Sequence, residues 1–312
     1  MLSRRFLRIK TMQALYSYFK NEKPDMTAFE KELFKSIDQV YDLYLIILNL
    51  FSGIHDNALM IIDENKHKHL PSKEDLNPNL SLVNNTLLTA ITTNKELKDL
   101  IEKRKLSLYI DNDIIRRVLT EVKKTVEFNE YMQNEKNDFK SDKQLLMSVV
   151  IKVLNEHEVL NSIFEDKNIH WADDLHVAYH LVLKNFEVYD GKFKVLPLLK
   201  DEKDDLSFVS TLFEKTIIYK ETSIDLIQKH VKNWELDRIA EMDMLLMQMC
   251  ITEFLYLQNI PVKVSLNEYI DISKEYSTPS SKLFINGILD KIIFQLKGED
   301  RIQKEGRGLK EN

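Results

Sequence analysis

The 312-residue sequence has few of the residues that form tight turns: six glycines and six prolines. Between Met1 and Asn286 the only glycines are Gly53 and Gly191. Hairpin turns and phosphate-binding loops both depend on glycine, because they use backbone conformations or close approaches that a Cβ atom hinders. The scarcity argues against sheet-rich folds and glycine-rich nucleotide loops. It favours an all-α fold built from long helices.

Cysteine is equally scarce, since Cys250 is the only one. An intrachain disulfide is therefore excluded, and a reducing compartment is the simplest setting. Cys250 lies inside the apolar run Met244–Ile251, with no basic residue nearby in the sequence. Such surroundings raise the pKa of a thiol, so the pattern predicts a core residue rather than a nucleophile.

The N-terminal region carries charge within its first four residues and has no long apolar stretch. We therefore expect neither a signal peptide nor a membrane-spanning helix. A cytoplasmic location follows from these expectations.

The negative charges are spread unevenly, although the formal net charge is −6. The first 20 residues carry five basic side chains and no acid, whereas the remaining 292 have a net charge of −11. A basic segment on an acidic chain is typical of a local contact with a polyanion. The simpler alternative is a solvated basic arm. The five residues are Arg4, Arg5, Arg8, Lys10 and Lys20.

Residues 3–20 fit one helix with two different faces. At about 100° per residue, one face is apolar and its flank combines arginine with aromatic and methionine side chains. Guanidinium groups suit RNA because they can bind a phosphate or stack on an unpaired base. The pattern predicts a helix that packs on one side and binds RNA on the other. The apolar face contains Leu7, Ala14, Leu15 and Tyr18; the flank contains Arg5, Arg8, Met12 and Tyr16.

The C-terminal third predicts a compact helical bundle. Residues 242–257 are apolar on all sides, which is typical of a buried central helix, and Pro261 should end that helix. Ser265 stands three residues before Glu268, the spacing of a capping box. A last helix should follow Ser277-Thr278-Pro279 and run to about Lys297. Gly287 lies inside it, and a glycine there suggests close approach of another helix or a ligand.

Several segments in this order resemble the NusB family of transcription antitermination factors. The resemblance covers about residues 1–20 and 206–295. It implies an all-α fold of two small helical subdomains that binds boxA-type single-stranded RNA. The segments are Arg4-Arg5-x-x-Arg8, Gln13-Ala-Leu-Tyr16, Leu236-Asp-Arg-Ile239, Glu253, Pro261-Val-Lys-Val264, Asn267-Glu268 and Phe284-Ile-Asn-Gly-Ile-Leu-Asp-Lys291.

The resemblance also implies which residues act and with which partners. Tyr16 and Asp243 fall where the family contacts its protein partner, the ribosomal protein NusE, within the RNA polymerase antitermination complex. One departure concerns Leu283, which stands where family members usually have a basic residue before the phenylalanine. The implied RNA-binding residues are Arg4, Arg5, Arg8, Lys10, Ser281, Lys282, Phe284 and Asn286.

Residues 25–205 interrupt the resemblance and predict an inserted helical region. Helices are expected at about 27–64, 80–105, 110–130, 142–165 and 171–187. An echo at an offset of 63 residues, with Trp171 matching Trp234, leaves open a degenerate repeat of the bundle. The predicted organisation is an N-terminal basic helix at 1–24, the insertion, a bundle at 206–298 and a flexible tail at 299–312.

Catalytic and metal-binding patterns are weak in this sequence. His176 and His180 are four residues apart, with Asp173 and Asp174 one turn earlier, a spacing that can hold Zn²⁺. No cysteine can join them, and solvated histidines are the simpler interpretation. An RNA cytosine methyltransferase with this helical domain would need a cofactor loop and catalytic cysteines that the sequence lacks.

The sequence therefore predicts an RNA-binding antitermination factor that supports rRNA transcription, without catalytic activity, cofactor or metal. The alternative is a protein-only helical scaffold in transcription or ribosome assembly, with a vestigial RNA surface.

Overall fold

The computed structural model describes residues 1–134, 136–231 and 238–309. Within these ranges all regular secondary structure is helical, with fifteen α-helices and no strand. The predicted all-α fold is thereby confirmed. The chain forms two compact units: unit 1 contains Met1 and Asp38–Leu198, and unit 2 contains Leu2–Ile37 and Leu199–Asn312.

Unit 2 is a bundle around one central helix, α13. Its residues 245–254 are all buried, as the apolar pattern predicted, and α1, α11, α12, α14 and α15 all pack against it. The helices of unit 2 are α1 (Arg4–Lys20), the start of α2 (Met26–Lys66), α11 (Glu202–Ile218), α12 (Lys220–His230), α13 (Glu241–Tyr256), α14 (Val262–Tyr276) and α15 (Ser281–Gly298).

Two predicted helix starts in unit 2 are wrong. Helix α14 begins at Val262, directly after Pro261, and not at Ser265. The Ser265 hydroxyl does not cap the N-terminus of the helix, because it donates to the buried Glu253 carboxylate. Helix α15 begins at Ser281, since the serines and threonine before it form a hydrogen-bonded turn.

Unit 1 is built around α2, whose residues from Asp38 onward belong to it. The side chains of residues 43–48 on this helix are buried. The other helices of unit 1 are α3 (Lys73–Leu76), α4 (Thr86–Thr92), α5 (Lys95–Lys103), α6 (Asn112–Lys124), α7 (Val126–Gln133), α8 (Phe139–Val149), α9 (Glu158–Lys167) and α10 (Trp171–Val188), with a 3₁₀ turn at Leu106–Leu108 and a π-helical segment at Val150–Leu154.

Helix α2 is the one described helix that is long and apolar enough to cross a membrane. Length and composition alone are weak evidence for a membrane span, because the buried core helix of a soluble protein has the same features. Half of the apolar window is buried inside the protein. The helix also makes polar contacts within unit 1: Asp38 and Asp42 pair with Arg104, and the Gln39 carbonyl accepts from the Trp171 indole. These contacts are those of a core helix.

The predicted helices of residues 25–205 agree with the structure at both ends and differ in the middle. Helices α2 and α10 lie close to the predicted 27–64 and 171–187. Each of the other three predicted helices is divided, because a polar side chain accepts a backbone N–H and starts a new helix. The dividing residues are Asn94, Thr125 and His157.

The boundaries of the compact units differ from the predicted insertion limits of 25 and 205. They fall after Ile37 and after Leu198. Two hydrogen bonds within unit 2 explain the difference: Ser210 donates to Glu30, and Asp205 accepts from Arg4. The repeat proposed from Trp171 and Trp234 stays a prediction, since Trp234 lies outside the described residues.

The predicted flexible tail is ordered over residues 299–309. Lys304 donates to the main-chain oxygens of Glu253 and Leu257, at 2.9 Å each, and the Glu305 amide donates to the Gln258 carbonyl. The Glu253 carbonyl also accepts from the Leu257 amide, so Lys304 adds a second donor at the C-terminal end of α13. Residues 310–312 lie outside the described part.

Candidate nucleic-acid interface

Arg8 lies in the interior of unit 2, with 2% of its side chain exposed. Its Nε and Nη2 atoms donate to the Glu253 carboxylate at 2.6 and 2.9 Å. The same carboxylate accepts from the hydroxyls of Ser265 and Tyr269, at 2.7 Å each. Burial lowers the pKa of Arg8, but the Glu253 carboxylate more than offsets this, so the net pKa is raised. The guanidinium is charged, and its hydrogen-bond acceptor is a buried carboxylate of the protein itself.

Arg4 lies at the start of α1 and is partly exposed, at 31% of its side chain. Its Nη2 atom is 2.7 Å from Asp204 and its Nε atom 2.8 Å from Asp205. The guanidinium also lies over the Phe208 ring, 4.4 Å from the centroid. These contacts hold Arg4 against the first turns of α11.

Arg5 is the most exposed of the three arginines, at 41% of its side chain. It forms two hydrogen bonds to Glu268, at 2.9 and 3.0 Å, and one to Asp271 at 2.8 Å. The hydrogen bonding that Arg5 donates to the Glu268 carboxylate is the largest cause of the raised pKa of Arg5. Both acids belong to α14, so Arg5 joins α1 to that helix.

The expected patch of unpaired positive charge on α1 is therefore absent from the described structure. Each of Arg4, Arg5 and Arg8 has acidic partners from the C-terminal half of the chain. Net charges counted along the sequence do not show which acidic side chains pack against these arginines in the fold. Met12, predicted on the flank with Arg8, is also buried. The face of α1 that packs is wider than the apolar residues alone suggested.

Lys10 is buried as well, at 2% exposure, and its ammonium lies 5.5 Å from the centroid of the Phe6 ring. A direct contact of Lys10 with RNA would require this side chain to leave its buried position. Direct contact by Lys10 or Arg8 stays a prediction.

Asp243 and Ser281 were predicted to bind different partners, and the structure brings them together. The Ser281 hydroxyl donates to the Asp243 carboxylate at 2.8 Å, and the Ser277 hydroxyl donates to its other oxygen. Asp243 and Ser281 are both buried. The pair joins the first turn of α13 to the N-terminus of α15, and this contact fixes where α15 begins.

The first turns of α15 expose the remaining predicted RNA residues. Lys282 and Leu283 are exposed, while Phe284 and Asn286 are half-buried. Asn286 donates to Asp290 at 3.1 Å. Leu283, at 73% exposure, places an apolar side chain where the family usually has a cation.

No helix packs closely against Gly287, so one of the two reasons expected for a glycine at this position is wrong. A Cβ atom built there would have no neighbour within 4 Å. The glycine therefore faces open space in the described structure, and approach of a ligand is the expectation that remains.

A groove of about 440 Å³ lies beside the exposed ring of Tyr16, within unit 2. Tyr16 is 38% exposed, and the Lys20 ammonium lies 5.8 Å from the centroid of its ring. Lys20 pairs with Glu241 at 2.6 Å across the groove. A groove lined by apolar side chains with charged side chains beside them is suited to binding a segment of another protein. The lining residues are Tyr16, Phe19, Lys20, Lys220, Ile239, Glu241, Met244, Leu245 and Gln248.

No group of three or more His, Cys, Asp or Glu side chains among the described residues could hold a metal ion. His176 and His180 are exposed. Cys250 is fully buried, and burial raises the pKa of its thiol well above the usual value. The prediction of a core thiol is confirmed.

The acidic partners are the residues that sequence reasoning missed. Glu253 carried one usable signal: it is a charged residue inside the otherwise apolar α13, and a buried acid requires a cationic partner. Asp204 and Asp205 carried none, because they belong to a polar, acidic run at residues 201–205.

Comparisons with known proteins agree with this architecture. The model of the NusB family matches residues 189–294, which include α11–α14 and most of α15 but not α1. The transcription antitermination protein NusB of Salinibacter ruber is 41% identical over 111 residues, or 36% of this chain and 69% of the relative. The corresponding protein of Chloroherpeton thalassium is 51% identical over 83 residues, which cover 27% of this chain and 39% of that protein.

A third relative, the NusB protein of Desulfatibacillum aliphaticivorans, is 42% identical over 92 residues, or 29% of this chain and 64% of its own length. No solved structure matches the chain. The matched segment is the helical bundle that carries Glu253, Glu268 and the exposed start of α15. Because the match covers most of the Salinibacter protein, this chain belongs to the NusB family of transcription antitermination proteins.

Proposed function

We propose that this chain binds boxA-type single-stranded RNA together with the ribosomal protein NusE, as part of an antitermination complex that supports rRNA transcription. It acts in the cytoplasm as an adaptor and performs no catalysis. RNA contacts come from the N-terminus of α1 and the start of α15. NusE contacts come from the groove beside Tyr16.

One observation carries the RNA proposal: Arg4 and Arg5, consecutive residues at the start of α1, have 31% and 41% of their side chains exposed. A guanidinium has five N–H donors. A guanidinium that is already bonded to carboxylates can therefore still donate to a phosphate from its open edge. Helix α14, which holds Arg5, also packs against α15. The two parts of the proposed surface therefore share one supporting helix.

Arg8 has a different role in this proposal. Its guanidinium is buried on Glu253, so it positions α1 against α13 and α14 rather than contacting RNA. The Arg8 Nη1 atom also lies 3.6 Å from Glu268, the acid that holds Arg5. Arg8 thereby supports the exposed arginine through a shared carboxylate.

Bases in the proposed complex are bound at the start of α15. Lys282 offers a flexible cation, and Phe284 and Asn286 are half-buried one turn later. Single-stranded RNA is recognised by stacking on aromatic rings and by hydrogen bonds to unpaired base edges. The open space at Gly287 gives a base room to approach the helix.

The protein-only scaffold remains the second candidate. The observation that favours it is the acidic pairing of all three arginines of α1. If those pairs are permanent, the surface has too little free positive charge to hold RNA.

The test is binding of the full chain to a fluorescent boxA-like strand and to a scrambled strand of equal length, each with and without NusE. The proposal predicts tighter binding of the boxA-like strand, and a further increase with NusE. If the chain contacts three phosphates, the logarithm of the association constant should fall with the logarithm of the salt concentration, with a slope of about −2. Equal, weak binding of both strands in all conditions would favour the scaffold.

A further inference from the structure

Arg4 and Arg5 are held by the same arrangement of acids. Each guanidinium contacts one shielded carboxylate and one more exposed carboxylate. For Arg4 these are Asp205, with 9% of its side chain exposed, and Asp204, with 65%. For Arg5 they are Glu268, at 22%, and Asp271, at 35%.

The shielded acids are fixed by further contacts. Asp205 also accepts from the backbone amides of Lys200 and Asp201, at 3.2 and 3.3 Å. Glu268 binds Arg5 through both of its oxygens. These two carboxylates orient the guanidiniums whether or not a ligand is present.

The exposed acids are attached less firmly. Asp204 contacts Arg4 through one oxygen at 2.7 Å, and Asp271 contacts Arg5 through one oxygen at 2.8 Å. Ion pairs between partly exposed side chains contribute little to stability because water and salt screen them. An arriving phosphate can take the same guanidinium edge that such a carboxylate occupies.

We propose that Asp204 and Asp271 compete with RNA phosphates for Arg4 and Arg5, and so determine which anions this surface accepts. This inference rests on the proposed RNA-binding function. A single phosphate forms hydrogen bonds with one edge of a guanidinium. To do so it displaces a carboxylate, and it then lies beside the negative charge of that carboxylate. The exchange is nearly balanced, so an isolated anion binds poorly.

A strand binds where an isolated phosphate does not, because its successive phosphates are linked. Once one phosphate has replaced Asp204, the next is held at a high local concentration beside Arg5. The base contacts at α15 then add to the same binding event. The two acids therefore suppress binding of free phosphate and of short nonspecific anions, and leave longer single strands as ligands.

The experiment removes the competing charges without changing side-chain shape. Asp204→Asn, Asp271→Asn and the double variant keep an oxygen that can accept from the arginine, but lose the negative charge. Asp271 also accepts from Lys274, so its variant leaves that cation available too. The matched control is Glu241→Gln, because Glu241 is 64% exposed and pairs with Lys20 on the same unit. Glu241 lines the groove proposed for NusE, so binding is measured without NusE.

Affinity for the boxA-like strand and for inorganic phosphate is measured at low and moderate salt, with thermal melting as a check on folding. Each single variant should bind the strand five- to tenfold more tightly than wild type at low salt. The gain should shrink as salt rises, since screening weakens the competing charge. Glu241→Gln should change affinity less than twofold, and wild type should not bind phosphate measurably.

The outcomes separate this inference from the proposed function. If wild type binds the strand and the aspartate variants bind no more tightly than Glu241→Gln, the competition is overturned and RNA binding stands. If wild type fails to bind and only the double variant binds, the proposed function fails for the native chain, and with it the claim that the two acids leave longer strands as ligands. If no protein binds the strand, the proposed function and this inference both fail.

Discussion

The guanidinium of Arg8 and the carboxylate of Glu253 form a two-bond ion pair inside unit 2, with N–O distances of 2.6 and 2.9 Å. Glu253 is fully buried and Arg8 is 2% exposed. The pair joins α1, which lies outside the segment matched by the NusB family, to the central helix α13 of that segment. It is the most deeply buried of the ion pairs that join the first helix to the bundle.

Removing the Glu253 charge should destabilise the protein strongly. Glu253→Gln leaves the Arg8 guanidinium buried with its charge uncompensated, and such changes cost about 3–5 kcal/mol. Urea denaturation of wild type and variant gives the free energy of unfolding. Glu241→Gln, at an exposed ion pair, serves as the control and should leave that free energy nearly unchanged. Equal effects of the two variants would show that the buried pair is not a structural link.

The tail lysine predicts a specific pH dependence. Burial is the main reason that the pKa of Lys304 is lowered from its usual 10.5 to about 8 in the folded protein. Between these values the unfolded chain binds more protons than the folded chain, so stability rises with pH across that window. The free energy of unfolding of wild type, minus that of Lys304→Met, should therefore increase from pH 7 to pH 10.

The comparison with Lys304→Met removes the contribution of other groups that titrate in the same range. Glu253 and Cys250, the groups that interact electrostatically with Lys304, are present in both proteins. A difference that stays constant, or that decreases with pH, would contradict the assignment of a buried tail lysine.

Two glycines should respond oppositely to replacement by alanine. Gly287 lies inside α15 with no neighbour near an added Cβ, so Gly287→Ala should stabilise the protein by about 1 kcal/mol. At Gly308 a Cβ would come 1.9 Å from the Gln258 carbonyl oxygen, so Gly308→Ala should displace the tail. Denaturation measures the first effect, and limited proteolysis near the C-terminus measures the second.

The Gly287 variant also tests the start of α15 as a ligand site. Stabilisation accompanied by weaker binding of the boxA-like strand would mean that the open space is used by RNA. Unchanged RNA binding would remove Gly287 from the proposed surface.

The groove predicts a role for Tyr16 in partner binding. Tyr16→Ala removes the exposed ring beside the groove, and central aromatic contacts often contribute about 2 kcal/mol or more to an interface. Affinity for NusE should fall at least tenfold in calorimetry, while binding of RNA alone stays the same. Phe294→Ala is the control, since Phe294 is 84% exposed on α15 and does not line the groove.

The helical architecture could be predicted from the sequence because it depends on local patterns. The apolar run around Cys250 predicted the central helix within one residue at each end, and the first helix was placed equally well. The divisions inside unit 1 were missed because a single cap such as Asn94 is sufficient to start a new helix. Periodicity averaged over twenty residues does not detect it.

The candidate site could be predicted only in part, for a different physical reason. Residue type identified Arg4 and Arg5 as cations on one helix, but their ion-pair partners in the fold are acids 200 and 263 residues away. Pairing over such distances leaves no local pattern. The same holds for Asp243 and Ser281, which were assigned to separate partners and contact each other.

The most direct test of the central claim compares wild type with Arg4→Ala/Arg5→Ala for binding to the boxA-like strand over a range of salt concentrations. The account predicts at least tenfold weaker binding by the variant. The salt slope should also become shallower by about 1.4, the value for two lost contacts to single-stranded RNA. Lys20→Ala, which removes a cation at the other end of α1, should leave both quantities unchanged. A variant that binds with the affinity and salt slope of wild type would contradict RNA binding by these arginines.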